Sequence, residues 1–432
     1  MIAKKIKTQI IFFILFFIFS FSFFSQQNEG ILFQFSHKKG DAFSHISTVY
    51  EEAFFNGRLN NKTEFINRTS STVLDILEDG SEYLQTDYMT TQNSLIQRTG
   101  DTLSWGEENS VNLYRRKNGE FYNCSSDFLP TVRNIPSFPS QKVQLGQSWQ
   151  AEGLEVHDCR ELFQMNQALS IPFTATYTYS DIISVNSADN QNNNFGDNNS
   201  QTENSQTENK TLHIIDVYYE FFQDNTTGQY YKNSNFAGAR GFAKQKIYWD
   251  TQKNEIDHFQ EEFQIKMVDF YGNTYVFNGK SQGEVTGFTS VNSQANVKKL
   301  QETFKNYNLD NVNVSQGEKG LTLSIENIQF EPDSDRLLPS EQKKLQKIGE
   351  VLKQFNNDLL ITGHCAERGT ESARQVLSEN RAKSVADFLI KNNIRREYHI
   401  FTQGKGSTQP VASNTTEEGR SRNRRVEITI MD

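Results

Sequence analysis

Cysteine is scarce in this chain, with three residues, Cys124, Cys159 and Cys365, among 432. No CxxC pair and no Cys/His spacing suited to zinc occurs, so a structural zinc site of the usual kind is excluded, and we expect neither metal nor cofactor. An excess of positive charge is missing too. Lys and Arg number 44 against 53 Asp and Glu, a formal net charge of −9, whereas a nucleic-acid partner calls for a basic surface to neutralise phosphates. Catalytic signatures are also wanting. The seven histidines, His37, His45, His157, His213, His258, His364 and His399, are scattered, and no HExxH, GxSxG, SxxK or P-loop pattern occurs. The chain therefore reads as no enzyme. With 35% hydrophobic residues it can still build globular cores, and its length calls for two or three domains.

Residues 1–25 read as a cleaved signal peptide. Lys4, Lys5 and Lys7 precede an apolar run from Ile10 to Phe24, shorter than the roughly 20 residues of a spanning helix. Ser20, Ser22 or Ser25 offers a small residue for cleavage; an uncleaved anchor is the alternative. No cysteine follows the run, so no lipid anchor on a processed N-terminal cysteine is expected. An odd cysteine count in an exported protein suggests one pair and one leftover thiol. Cys124 and Cys159, which share one irregular β-rich region, are the expected disulfide, with three unpaired thiols as the alternative.

Residues 26–290 read as a β-rich domain, a sandwich or a partly open barrel. "VNLYRRKNGEFYNC" sets Asn118-Gly119 between two β-prone runs, and "STVLDILEDGSEYLQTDY" does the same with Asp79-Gly80; both are strong hairpin signals. "LHIIDVYYEFF", "QKIYWDT" and "NTYVFNG" alternate as half-buried strands do. The polar stretch 186–210, with its repeated "SQTEN", cannot bury enough apolar surface to offset its ordering entropy and is expected to be a disordered loop. Pro130, Pro136 and Pro139 mark a second irregular connection.

Near residue 290 the pattern turns to alternating helices and strands. Residues 291–320 read as a linker helix, "NVKKLQETFKNYN", and a strand. Residues 321–432 read as an α/β sandwich in the order βαβαββ, so the whole chain is of α+β class. Its first helix should begin at an N-cap Ser340 and bury Leu345, Ile348, Leu352 and Phe355. In its second, Val376, Ala382, Val385 and Leu389 are core candidates.

Residues 321–432 carry "IQFEPDS", "ITGHCAERGT", "LSENRAKSVADFL", "GKGSTQP", Asn414 and "GRSRNRRVEI". In that order they resemble the OmpA-like peptidoglycan-binding domain of OmpA, MotB and peptidoglycan-associated lipoproteins. The resemblance implies a non-catalytic site for the peptide stem of peptidoglycan. It also implies a place in the periplasm, the cell envelope or at the outer membrane. In that family an Asp and an Arg grip the diaminopimelate side chain, whose end is a zwitterion. A carboxylate answers its ammonium and a guanidinium its carboxylate.

The family's Arg falls on Arg381 and its Asp on Ala366. Phe330, Asp333, Thr370 and Leu377 match the pattern, and Arg374 stands where Asn is common. The loop residue Glu367, or Glu371 beyond it, could supply the missing carboxylate. The resemblance thus implies weakened or altered diaminopimelate recognition. One alternative keeps the fold as a protein-docking module, and a second is a wall hydrolase, since carboxylate pairs meet only in three dimensions. The β domain is expected to engage an unknown envelope protein. His364 reads as a structural histidine, and Arg420 and Arg425 as structural ion-pair partners.

Overall fold

A computed structural model describes residues 30–94, 103–127, 129–185, 210–287, 290–309, 311–331 and 334–432. The expected signal peptide and residues 186–209 of the expected disordered loop lie outside the described residues.

The N-terminal half is one antiparallel sheet. Its strands are β1 (Ala42–Phe55), β2 (Arg58–Ile76), β3 (Glu82–Ser94), β5 (Glu107–Arg115), β6 (Phe121–Tyr122) and β7 (Val132–Arg133). β8 (Ser148–His157), β9 (Leu169–Val185), β10 (Lys210–Asp224), β11 (Phe236–Asp250), β12 (Glu255–Asp269) and β13 (Thr274–Gly287) complete it, with the short helix α1 (Arg160–Phe163) between β8 and β9. The spatial order β6-β5-β3-β2-β1-β13-β12-β11-β10-β9-β8-β7 brings two short edge strands that are near neighbours in the chain to opposite ends. Phe121 N, on β6, donates to Asn134 Oδ1, just past β7, at 2.8 Å, so the sheet curls until it is nearly closed. Of the two expected forms, the partly open barrel describes it. Both hairpin glycines sit at positive φ, +80° at Gly80 and +96° at Gly119, where a side chain would strain the turn.

β9 shows why these segments are strands. Leu169, Ile171, Phe173, Ala175, Tyr177 and Tyr179 are buried, while the residues between them are not, the period of two that one covered face demands. The interior they help to fill is aromatic. Phe33 and Phe35 enter it from the extended segment before β1, with Phe33 stacked on Phe138 at 5.5 Å and Phe35 edge-on to Trp249 at 5.0 Å.

The C-terminal half is a second sheet with helices on one face. It comprises α2 (Gln294–Asn306), β14 (Val312–Gly317), β15 (Gly320–Glu326), α3 (Pro339–Leu352) and β16 (Leu359–Gly363), then α4 (Glu371–Lys391), β17 (Ile400–Gly404), α5 (Glu417–Asn423) and β18 (Arg425–Met431). The order is β14-β15-β18-β16-β17-β4, where β4 (Leu103–Ser104) comes from the N-terminal half. β16 and β17 are parallel and joined through α4, as a crossover must be. The helix and strand read as a linker are part of this unit. Val297, Leu300 and Phe304 of α2 and Val312 and Val314 of β14 share one core with Leu345, Ile361, Val385 and Ile428.

Every residue of β16 is buried, because both faces of the sheet are covered. Leu359 and Ile361 face the helices. Leu360 joins Phe401 and Met431 in a cluster with Ile46, Ile66, Met89 and Leu103 of the N-terminal half. Beside this cluster lies a buried polar junction. Asp358, fully buried, accepts from Arg68 Nε at 2.8 Å and pairs with His399 Nδ1 at 2.8 Å, while Thr286 Oγ1 donates to it at 3.2 Å.

Three local expectations need correction. Cys124 and Cys159 are free thiols. Cys124 packs against the cluster around Leu84 and Leu113, whereas Cys159 lies in the aromatic interior with its Sγ 3.9 Å from Met267 Sδ. Ser340 is not an N-cap: α3 starts at Pro339, with Leu338 at the cap position, a placement that suits proline because its missing N–H would have no helical partner there. Val376 is exposed, while Ala382, Val385 and Leu389 form the buried stripe of α4.

Candidate functional site

The site lies where β16 and β17 end and α4 begins. A Cβ on Gly363 would stand 2.0 Å from Ser378 O, and one on Gly404 2.5 Å from Ser378 Oγ, so these glycines let α4 pack directly onto the strand ends. Ser378 Oγ in turn accepts from Gly406 N at 2.9 Å. The loop after β16 is held through its backbone. His364 N donates to Arg425 O at 3.0 Å, Cys365 N to Gly406 O at 2.7 Å, and Glu367 N to Asn414 Oδ1 at 3.2 Å. Asn414 is fixed by the buried Asn423, whose Nδ2 donates to Asn414 Oδ1 at 2.8 Å. Thr370 caps α4, its Oγ1 accepting from Ala373 N at 3.3 Å.

Two guanidinium groups look into this corner from α4. The Arg381 guanidinium carbon lies 4.9 Å from the centre of the Phe330 ring, a cation–π geometry. Its Nε is buried and finds no hydrogen-bond partner among the described residues, and the same holds for Arg374 Nε. Arg374 Nη1 donates to Gly369 O at 2.6 Å, which ties this side chain to the loop. Burial draws the pKa of Arg381 below its ordinary value, while the nearby Cys365 thiol and the Asp335 carboxylate act the other way. Burial likewise raises the pKa of Cys365, against the pull of Arg381 and Arg374.

The structure sets Phe330 against Arg381 and Cys365, the neighbour of Ala366, beside Arg374 and Arg381, with Leu377 half-buried on α4. Asp333 lies outside the described residues. Ala366 is buried, 8% exposed. Glu367 and Glu371 are exposed. The sequence motifs gave no site role to Cys365 or to Asp335. The second had no local signal, since its nearness to Arg381 depends on the turn closed by the Phe330–Leu337 bridge.

The surrounding arginines are structural. Arg425 Nε pairs with Glu427 Oε1 at 2.7 Å, and Glu417 receives Arg420 and Arg424, each at 2.8 Å. His364 is buried 3.5 Å from Glu427 Oε2. Burial lowers its pKa in spite of that carboxylate. Among the described residues no group of three or more His, Cys, Asp and Glu could hold a metal ion. The corner can bind a carboxylate. Among the described residues it sets no nucleophile beside a base.

Residues 329–424 match the sequence model of the OmpA family. The peptidoglycan-binding protein ArfA of Mycobacterium tuberculosis is 39% identical over 104 residues, 24% of this chain and 32% of ArfA. Outer membrane protein A of Bordetella avium is 39% identical over 103 residues, 24% of this chain and 53% of that protein. The putative lipoprotein YfiB of Escherichia coli is 34% identical over 117 residues, 27% of this chain and 72% of YfiB. The chain thus spans about a third of ArfA and about half of the Bordetella protein. The similarity lies in the half that carries Phe330, Ala366 and Arg381, and through this C-terminal domain the chain belongs to the OmpA family.

Proposed function

We propose that the protein is a non-catalytic component of the cell envelope whose C-terminal domain associates with the peptide stem of peptidoglycan. The observation that carries this reading is Arg381: a half-buried guanidinium on a Phe330 platform, whose Nε has no hydrogen-bond partner among the described residues, in a domain whose relatives include a protein named for peptidoglycan binding. A guanidinium so placed takes a carboxylate in two parallel hydrogen bonds. Export by a cleaved signal peptide without a lipid anchor would bring the domain to the wall. The N-terminal sheet would engage another envelope component.

With Ala366 in place of a carboxylate, recognition of diaminopimelate is weakened. Losing one charge-assisted hydrogen bond costs roughly 1.5–3 kcal/mol, about ten- to a hundred-fold in affinity. The same substitution favours a second reading, in which the fold serves as a protein-docking module. Co-sedimentation of the intact protein with purified diaminopimelate-containing sacculi separates the two. Weak but saturable sedimentation that Arg381→Ala abolishes is expected. Sedimentation that is nil, or unchanged by Arg381→Ala, speaks for docking.

A further inference from the structure

We propose that the corner around Arg381 selects the stem whose diamino acid carries an acylated distal amine, as in a cross-link, over the stem with that amine free. This rests on the peptidoglycan reading above. Acylation turns the ammonium into a neutral amide and leaves the neighbouring carboxylate untouched. The ligand end is then an anion beside an uncharged group.

The lining suits that end. It offers the guanidinium groups of Arg381 and Arg374, whose Nε atoms are buried and unpartnered among the described residues. Beside them lie the Cys365 thiol, which donates to Arg374 O at 3.6 Å, and the adjoining Ala366 methyl, 5% and 8% exposed. The thiol is protonated, since burial holds its pKa above the ordinary value. A bare ammonium set there would lose its water, meet no buried anion among the described residues and face like charge from two arginines, each of which disfavours it. The described loop acids do not change this. Glu367 and Glu371 are exposed, and Asp335, whose charge reaches Arg381, is exposed on the facing turn. An amide, in contrast, rests against a methyl and a thiol at little cost, while its carboxylate keeps the guanidinium.

The probe is a disaccharide tetrapeptide containing diaminopimelate, used with its amine free and after acetylation with acetic anhydride. Both are titrated calorimetrically into the intact protein. The acetylated form is expected to bind at least about ten-fold tighter, the worth of one charged hydrogen bond. Ala366→Asp should reverse the order. Equal or tighter binding of the free-amine form by the unmodified protein overturns the inference and leaves the peptidoglycan reading standing. So does a selective loss of free-amine binding in Asp333→Asn/Asp335→Asn, because one of these two acids then receives the ammonium. Binding of neither form overturns the peptidoglycan reading and this inference with it.

Discussion

Arg381 rests on an aromatic ring where a surface arginine would normally find a carboxylate, and this defines the chemistry of the site. The ring at 4.9 Å steadies the guanidinium without neutralising its charge, which the proposed reading gives to a ligand carboxylate. Phe330→Ala should therefore weaken sacculus binding by several-fold, in line with about 0.5–2 kcal/mol for a cation–π contact. A titration shows the effect, and a thermal melt separates it from loss of fold, since Phe330 also packs against the helical core. Binding unchanged by Phe330→Ala would mean that the ring does not position the charge. Arg381, Ala366 and the structural pairs of Arg420 and Arg425 were legible in the sequence because each belongs to a contiguous motif. Asp335 was not, nor was the separation of Cys124 from Cys159. Those depend on where distant segments pack, and a shared β-rich region did not imply a shared core.

At the scale of elements, signals confined to a few residues were readable and those that needed partners were not. Asn118-Gly119 and Asp79-Gly80 announced their hairpins, and the alternating runs announced strands. The curling of twelve strands into one sheet, the addition of β4 to the edge of β17 and the role of α2 in the C-terminal core are non-local. The junction between the halves is of the same kind, and it makes a pH prediction. His399, in the 3-10 turn before β17, lies between Asp358 before β16, Glu284 on β13 and Arg396. Burial alone would lower its pKa, but the hydrogen bonds to Asp358 and Glu284 raise it above the ordinary 6.5. Burial opposes ionisation of Asp358 as well, and there His399 and Arg68 prevail and hold its pKa below the ordinary 3.8.

The signs follow. The His399 contribution is complete below about pH 6.5 and is lost as pH rises through its raised value, while that of Asp358 is present above about pH 4 and is lost as pH falls through its depressed value. The junction should therefore be firmest between about pH 4 and 6.5. The melting temperature of the intact protein should fall between pH 6 and 8.5 by more than that of His399→Gln. Parallel pH profiles for the two proteins would show that this proton does not hold the junction.

At the scale of the whole molecule, the two halves are joined by a shared hydrophobic cluster, a strand pairing and the Arg68–Asp358–His399 network. The C-terminal sheet thus has helices on one face and the N-terminal sheet on the other. That leaves the strand ends and the start of α4, with Arg381 and Ala366, for a ligand. The sequence announced two units of different class but not their union, because the residues that join them, Arg68, Leu103, Thr286 and Asp358, lie outside any motif. Affinity of the intact chain for diaminopimelate-containing sacculi, compared between the natural protein and Ala366→Asp, tests most directly whether the wall is its target and the missing carboxylate its handicap. Weak binding by the natural protein, strengthened about ten-fold or more by the new carboxylate, is the predicted result. Tight binding by the natural protein that Ala366→Asp leaves unchanged would contradict it.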